Sequence, residues 1–340
     1  RSLGQHHTLG QATATVFSLA SLGVFEARGP DALSFLQGQL TNDIIAPGIG
    51  QSRLAGYCTA QGRLLSTMVL GQTPMLDEEL AARGFMRADI LAPVLKRLSM
   101  FVLRAKVTLQ VKDLKVAGVC APKSQYAALV AELGHSLPEL EWETVHTSTG
   151  TWIAAPSAVG NSSSHEPISR WWWIAGEEHL AALDTLQLEW TIGQDSDWES
   201  LDIQAGLPWV EAGTQDIFIP QTLNLELIGG VSFTKGCYPG QEIVARSHYR
   251  GTVKKRMALG TVVTSEGQVL LPGADIFDAS QSAQQPCGRL INVATIQSDS
   301  KLVHWILFET SFEAYDRQQL RAIDEHGPAI ETLALPYLTR

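Results

Sequence analysis

One segment of the chain gathers residues that could do chemistry together. It runs Phe233-Thr234-Lys235-Gly236-Cys237-Tyr238-Pro239-Gly240-Gln241-Glu242 and continues as Ile243-Val244-Ala245-Arg246. Two glycines and a proline bracket the cysteine, a pattern that predicts a tight loop lifting Cys237 clear of the core. Lys235 stands two residues before it, and Arg246, His248 and Arg250 follow. Positive neighbours favour the thiolate, the form that attacks, exchanges and binds metal. These residue types allow a reactive thiol. They also allow a small buried residue in a turn, because free cysteine is among the most buried residue types.

Two further features invite chemistry. Arg246, Arg250, Lys254, Lys255 and Arg256 put five positive charges into eleven residues of an acidic chain. Such a run serves as an anion site for a polyglutamate, a phosphate group or RNA, or as the solvated face of a strand pair. The chain also has nine tryptophans. If Trp171-Trp172-Trp173 is a strand, successive rings leave opposite faces, so at least one must meet another element, a pocket or solvent. Trp198, among Asp195, Asp197 and Glu199 in a predicted helix, suits either stacking on a flat heteroaromatic ligand or anchoring the helix to a core.

The common cofactor signatures are absent. Gly48-Ile49-Gly50 lacks the third glycine of a dinucleotide fingerprint, and there is no P-loop, no HExxH and no CxxC. Cys58, Cys120, Cys237 and Cys287 are too few and too dispersed for a disulfide scaffold, and read as free thiols of a reducing compartment. With 340 residues, 45% hydrophobic and 18% charged, the composition is globular and argues for two or three domains. No apolar run is long enough for a membrane-spanning helix, so no membrane partner is expected. The first residues show no apolar stretch before a small-residue cleavage site, so no secretory signal is expected there. A net charge of −10 argues against gripping nucleic acid as the main task, so direct RNA binding is not expected.

These residues need elements to position them. The patterning predicts one or two strands over 13–28 and a short helix opened by Gly29-Pro30-Asp31 and ending at Gln39. A hairpin of strands 53–59 and 63–70 follows, around Ala60-Gln61-Gly62-Arg63. A helix over Met86–Leu98 contains an awkward Pro93. Strands at 106–111 and 114–120 and a helix from Pro122 to Leu133 come next. Thr147–Ser164 reads as a loop or insert, and Arg170–Ala175 as a strand. Helices are expected over Glu177–Leu188 and Asp195–Ala205, the second capped by Asp195 or Ser196. Beyond residue 252 short β-rich runs at 256–263, 268–271, 287–296 and 301–309 suggest a small barrel or sandwich. The class is α+β, built of sandwiches rather than a doubly wound sheet.

The segment Lys235–Arg246 resembles the signature of the YgfZ group of folate-binding proteins. These are relatives of the glycine-cleavage T-protein (aminomethyltransferase) and of a mitochondrial iron–sulfur assembly factor. Phe35–Asp43, Cys58–Arg63, Ala205–Pro208, Phe218–Leu225 and Leu335-Pro336-Tyr337 resemble other segments of the family in the same order. The likeness implies a three-domain ring of the aminomethyltransferase/YgfZ type, two α+β sandwich domains and a C-terminal β-barrel around a folate pocket. Residues 13–120, with part of 195–252, would form the folate-binding domain, 121–194 the second, and 253–340 the barrel.

The resemblance further implies a cytoplasmic, tetrahydrofolate-binding accessory protein. It would support assembly or repair of iron–sulfur clusters and, through radical iron–sulfur enzymes, tRNA modification. Cys237 would be the acting residue, with a transient iron–sulfur cluster possible on it, and the partners would be iron–sulfur client or assembly proteins. Trp198 falls where a family tryptophan stacks near the folate (or a one-carbon derivative of it). Tyr238, Gln241, Glu242, Arg246 and Arg250 join it as expected folate-site residues. Two positions depart from the pattern: Leu22 replaces a second family tryptophan, and Gln204 a pterin-binding carboxylate. The alternative is a folate-dependent one-carbon transferase. Against it, Arg63–Met68 holds no carboxylate where the T-protein has an aspartate.

Overall fold

A computed structural model describes residues 13–75, 80–158, 167–185, 189–249, 253–265, 267–281, 285–298 and 301–337. The chain begins with β1 (Thr13–Ser18), β2 (Leu22–Arg28), α1 (Ala32–Gln37), β3 (Ser52–Cys58), β4 (Leu64–Pro74), β5 (Leu80–Arg87), α2 (Ala88–Ser99) and β6 (Thr108–Val111). There follow β7 (Lys115–Pro122), α3 (Tyr126–Leu133), β8 (Thr144–Thr147), β9 (Gly150–Ala154), β10 (Ile168–Ala175), α4 (Glu177–Ala181), β11 (Glu189–Gly193) and α5 (Asp195–Gln204). The last third holds α6 (Gln241–Tyr249), β12 (Lys255–Thr264), β13 (Asp275–Asp278), β14 (Gly288–Ser298), β15 (Lys301–Ser311), α7 (Phe312–Arg317), β16 (Leu320–Ala322) and β17 (Ile330–Leu333).

The strands form three sheets, ordered β3-β4-β5-β2-β6, β11-β1-β7-β10-β9-β8 and β16-β13-β14-β15-β12-β17. A bridge from Arg321 to Ala329 brings the edges of the last sheet together, so it is nearly a closed barrel. This is the expected α+β architecture. β1 runs parallel to β11 and antiparallel to β7, so both ends of the segment 13–122 lie in the sheet otherwise built from 144–193. Gly193 makes that pairing possible: a Cβ there would stand 2.2 Å from the Phe17 ring.

The tryptophan triplet joins two cores. Trp172 faces the largest apolar cluster, which also takes side chains from the other two sheets, among them Phe85, Met257 and Leu307. Trp171 and Trp173 face a second cluster, where Trp173 stacks on Trp152 with centroids 4.7 Å apart. All three rings are buried, so alternation along one strand staples a layer on each side.

Some local expectations change. Gln194 and Asp197 form the capping box of α5, while Asp195 accepts hydrogen bonds from the backbone and hydroxyl of Ser21 at 2.8 Å. The helix expected over Glu177–Leu188 is α4 followed by a 3-10 turn at Ala182–Thr185, and 186–188 lie outside the described residues. Residues 268–271 are not a strand; the Pro272-Gly273 turn instead leads into β13. Met86 belongs to β5, and α2 starts at Ala88. Pro93 sits inside α2 on its exposed side, opposite the buried Ile90, Leu91, Val94 and Leu95. Among the described residues no helix is long and apolar enough to cross a membrane.

One buried ion pair ties α5 to β10. Arg170 Nη1 donates to Asp202 Oδ1 at 3.0 Å, and the two side chains are 0% and 3% exposed. Trp209 Nε1 donates to the other Asp202 oxygen at 3.0 Å, and Arg170 also donates to Pro156 O. Removing one member leaves a buried charge uncompensated. Asp202→Ala is expected to lower unfolding free energy by about 3–5 kcal/mol in urea titration. Arg246→Ala, at an exposed pair, is expected to change it by less than about 1 kcal/mol; equal effects would refute the assignment.

Candidate functional site

The glycine-rich segment folds as expected into a loop that presents its cysteine. Cys237 is exposed, Cys58 and Cys120 are buried, and Cys287 is half-buried. Burial pushes the Cys58 and Cys120 thiols up to about 12, which leaves them inert at neutral pH.

The loop is pinned at several points. At its start, Asn42 Nδ2 donates to Gly229 O at 2.6 Å and Thr41 Oγ1 to Gly230 O at 2.7 Å. In its middle, the Lys235 ammonium enters the end of α1, where it donates to Gln37 O and, at 2.6 Å, to Leu40 O. These are carbonyls that a helix end leaves without partners, and the helix dipole favours a cation there. Burial brings the Lys235 amine down to about 8, while the charges of Asp43 and Cys237 act to keep its proton. Asp43 is itself held below the usual carboxylate range, chiefly by the backbone N–H of Ala46. Lys235 is therefore first a cap on α1 and only second a neighbour of the thiol.

At the far end the loop interlocks with the β3–β4 hairpin. Gly240 has φ +81° and Gly62 has φ +74°. A Cβ on Gly240 would meet Thr59 O at 2.5 Å and the Gly62 Cα at 2.7 Å. Two sequence motifs almost 180 residues apart thus touch glycine to glycine. Tyr238 is buried below the loop, with Lys235 Nζ 4.9 Å from its ring centroid; burial raises its hydroxyl above the usual phenol range. Gln241 and Glu242 begin α6, and Gln221 Nε2 donates to Val244 O at 2.5 Å.

The basic run is largely neutralised. Arg246 pairs with Glu242 at 2.8 Å, Lys255 with Glu309 at 3.4 Å, and Arg256 with Glu226 at 2.7 Å. Lys254 is exposed, and Arg250 lies outside the described residues.

A cavity of about 360 Å³ adjoins this assembly, lined by Glu141, Trp142, Ala205, Leu207, Ile228 and Tyr337 among others. Trp142 stacks on Trp172 at 6.0 Å and has φ 69°, a conformation a bulky residue adopts only under constraint. Hydrogen bonds hold it there, Ser52 N to Trp142 O at 2.8 Å and Trp142 N to Ala154 O at 2.9 Å. Gln204 precedes cavity-lining Ala205, and its Oε1 is buried without a hydrogen-bond partner.

The residues named from sequence thus fall into three groups. Cys237, Tyr238, Gln241, Glu242 and Arg246 share the loop and α6. Gln204 is buried one residue before cavity-lining Ala205 and is not itself among the lining residues. Trp198 and Leu22 are in the large core: Trp198 is 1% exposed and enclosed by Phe17, Trp172, Arg170 and Gly118, and does not line the cavity. The ring that does line it, Trp142, was not singled out from sequence. Nothing in its neighbours in sequence marks it, because its exposure to the cavity comes from a strained backbone angle. Among the described residues no group of three or more His, Cys, Asp or Glu could hold a metal ion.

No family model matches the chain. The tRNA-modifying protein YgfZ of Photorhabdus laumondii is 28% identical over 334 residues, 95% of this chain and 92% of that protein. The proteins of the same name from Cronobacter sakazakii and Shigella boydii are 32% identical over 272 residues and 31% over 252. These cover 77% and 72% of this chain, and 75% and 71% of the relatives. Among solved structures, the glycine cleavage system aminomethyltransferase T from Bartonella henselae matches with a TM-score of 0.65 at 16% identity. The match covers 97% of this chain and 87% of that one, and establishes the shared fold.

Alkylation of the native protein by iodoacetamide, read by peptide mass, is expected to label Cys237 at least about tenfold faster than Cys58 or Cys120. Gly240→Ala, forced into a left-handed angle against the hairpin, is expected to cost roughly 1–3 kcal/mol in urea unfolding. Equal labelling of all three thiols, or an unperturbed alanine variant, would contradict the described loop.

Proposed function

Because the chain belongs to the YgfZ family, we propose that it is a tetrahydrofolate-binding accessory protein that supports iron–sulfur cluster assembly or repair and, through it, tRNA modification. Curated relatives carry the name tRNA-modifying protein. The observation that carries the reading is the continuity between cavity and thiol. Leu227 and Ile228 line the cavity, and the chain passes directly from them into the pinned loop that exposes Cys237.

The residues present fit a reduced pterin. The cavity has room for a bicyclic ring, Trp142 offers a flat wall backed by Trp172, and Gln204, next in the chain to cavity-lining Ala205, keeps an unpartnered buried acceptor. Bound there, tetrahydrofolate would supply a carrier for a one-carbon unit. Gln204 can accept a hydrogen bond from a ring N–H, but brings no charge to a guanidine-like edge, so stacking on Trp142 carries more of the affinity. Arg246 is shared with Glu242, which leaves Lys254 the better attractor for an acidic tail.

Cys237 acts as a single exposed thiol. One thiol leaves most ligands of a cluster unfilled, so a cluster would be cargo, held jointly with a client protein and passed on. Such work belongs to the reducing cytoplasm, where Cys237 stays free. Aminomethyl transfer is the weaker reading. At the start of β4, Ser66 and Thr67 are buried, and Thr67 Oγ1 is engaged with Pro208 O and Val210 N; no carboxylate stands in Arg63–Met68.

Anaerobic calorimetry with tetrahydrofolate tests the pocket. Trp142→Ala is expected to weaken binding by roughly 1–3 kcal/mol, the range for aromatic stacking, and Cys237→Ser to leave it unchanged. In cells lacking the endogenous relative, Cys237→Ser is expected to fail to restore tRNA thiolation. Absence of binding by the intact protein, or full restoration by the serine variant, would sink the proposal.

A further inference from the structure

Two stretches of the chain, 90–112 and 243–265, each carry five Lys or Arg and no Asp or Glu. Folding treats them oppositely. In the second, carboxylates from elsewhere meet Arg246, Lys255 and Arg256. In the first, Lys112 reaches Glu26 at 3.8 Å. Lys96, Arg97, Arg104 and Lys106 are exposed and, among the described residues, have no carboxylate within ion-pair distance. Cations without a carboxylate partner are therefore concentrated where α2 ends and the chain turns toward β6, Arg97 sharing a side-chain hydrogen bond with Tyr57.

The same turn holds large apolar side chains in solvent. Met100 is 63% exposed, Phe101 47% and Leu103 88%. Val102 and Ala105, between them, pack on the core, so the turn is anchored. Short backbone bonds from Met100 N to Arg97 O, Phe101 N to Leu98 O and Leu103 N to Phe101 O hold the exposed side chains outward. Three exposed apolar side chains, flanked along the chain by Lys96 and Arg97 on one side and Arg104 and Lys106 on the other, make a surface with two complementary needs: negative charge and flat or apolar groups.

We propose that residues 96–106 form an RNA-docking surface, with Lys96, Arg97, Arg104 and Lys106 on phosphates and Phe101, flanked by Met100 and Leu103, against unpaired bases. Single-stranded RNA offers both complements at this spacing, phosphates along its backbone and unstacked bases that pack on aromatic side chains. An anionic bilayer offers them too, but a plane meets the whole face around the turn, and this chain carries ten more acidic than basic charges. An RNA arm meets the turn alone, within a Debye length of the cations. The expectation from net charge thus gives way locally. The choice of tRNA as probe rests on the proposed function; the surface itself does not.

The test titrates the full chain into fluorophore-labelled bulk tRNA across a potassium chloride series and reads anisotropy. Binding is expected to fall steeply with salt. Lys96→Ala/Arg104→Ala/Lys106→Ala should weaken it about tenfold or more at low salt and flatten the log–log salt slope by about two to three. Phe101→Ala should weaken it about fivefold or more with the slope unchanged. Lys254→Ala/Lys255→Ala should leave both intact, and thermal melts confirm that each variant folds. Absence of salt-dependent tRNA binding overturns the proposal, as do wild-type affinities in the triple and Phe101 variants. Co-flotation with phosphatidylglycerol vesicles without tRNA binding would reassign the surface to lipid. Tetrahydrofolate binding in the triple variant is expected to be unchanged; a protein that binds tRNA here but never folate sinks the proposed function and leaves this surface standing.

Discussion

The glycine-to-glycine contact between the β3–β4 hairpin and the cysteine loop is the constraint on which the arrangement of the site depends. Gly62 and Gly240 both take left-handed angles; Gly240 leaves no room for a Cβ, and one on Gly62 would press on Ile243 at 3.0 Å. That contact fixes one end of the loop; Lys235, driven into the carbonyls of Gln37 and Leu40, fixes its middle. Between the two pins only Gly236 and Cys237 are both exposed. The thiol is thus held out by a loop with little freedom to withdraw it. A loop pinned twice presents its cysteine at little entropic cost when a partner arrives.

The fold class, the cysteine loop and the barrel were legible because each is written in local patterning or in a long motif. The hairpin around Gly62 and the loop around Gly240 were each visible alone, but their contact was not, since nothing local encodes an approach across such a separation. Trp198 shows the opposite failure. Its acidic neighbours suggest an exposed helix face, yet Gly118 opposite Trp172 in the sheet leaves a hollow that its ring fills, 2.2 Å from where a Cβ would stand. The missing side chain at 118 decides where the ring at 198 goes. Trp142 was invisible for a third reason, because a tryptophan with a positive φ runs against every local preference.

Charge taught the same lesson in reverse. Two equally basic stretches look interchangeable in sequence. The one beside the cysteine motif attracts a functional reading through its position alone. Folding supplies it with Glu226 and Glu309, its neighbour Glu242 takes Arg246, and the other stretch keeps Lys96, Arg97, Arg104 and Lys106 exposed without a carboxylate. A cation shared with a carboxylate can still greet an anion, but it must first give up its partner, so the unpaired set is the stronger attractor at equal count.

On the proposed reading, Gln204 standing where the resemblance implies a carboxylate bears on how this chain would differ from a folate-dependent transferase. A transferase must hold its folate in one pose while bonds change, and a charged carboxylate on the pterin edge supplies both affinity and register. Under that reading Gln204 would supply register only, through an acceptor that is buried and otherwise unpaired. In Arg63–Met68 the hydroxyl of Thr67 stitches β4 to Pro208 and Val210. Neither position brings a charge, and the stacking pair of Trp142 on Trp172 stays in place. Such a site, if it takes a pterin as proposed, is better suited to holding it than to driving chemistry on it. The reactive group that remains is Cys237, outside the cavity and facing solvent, where another protein can reach it.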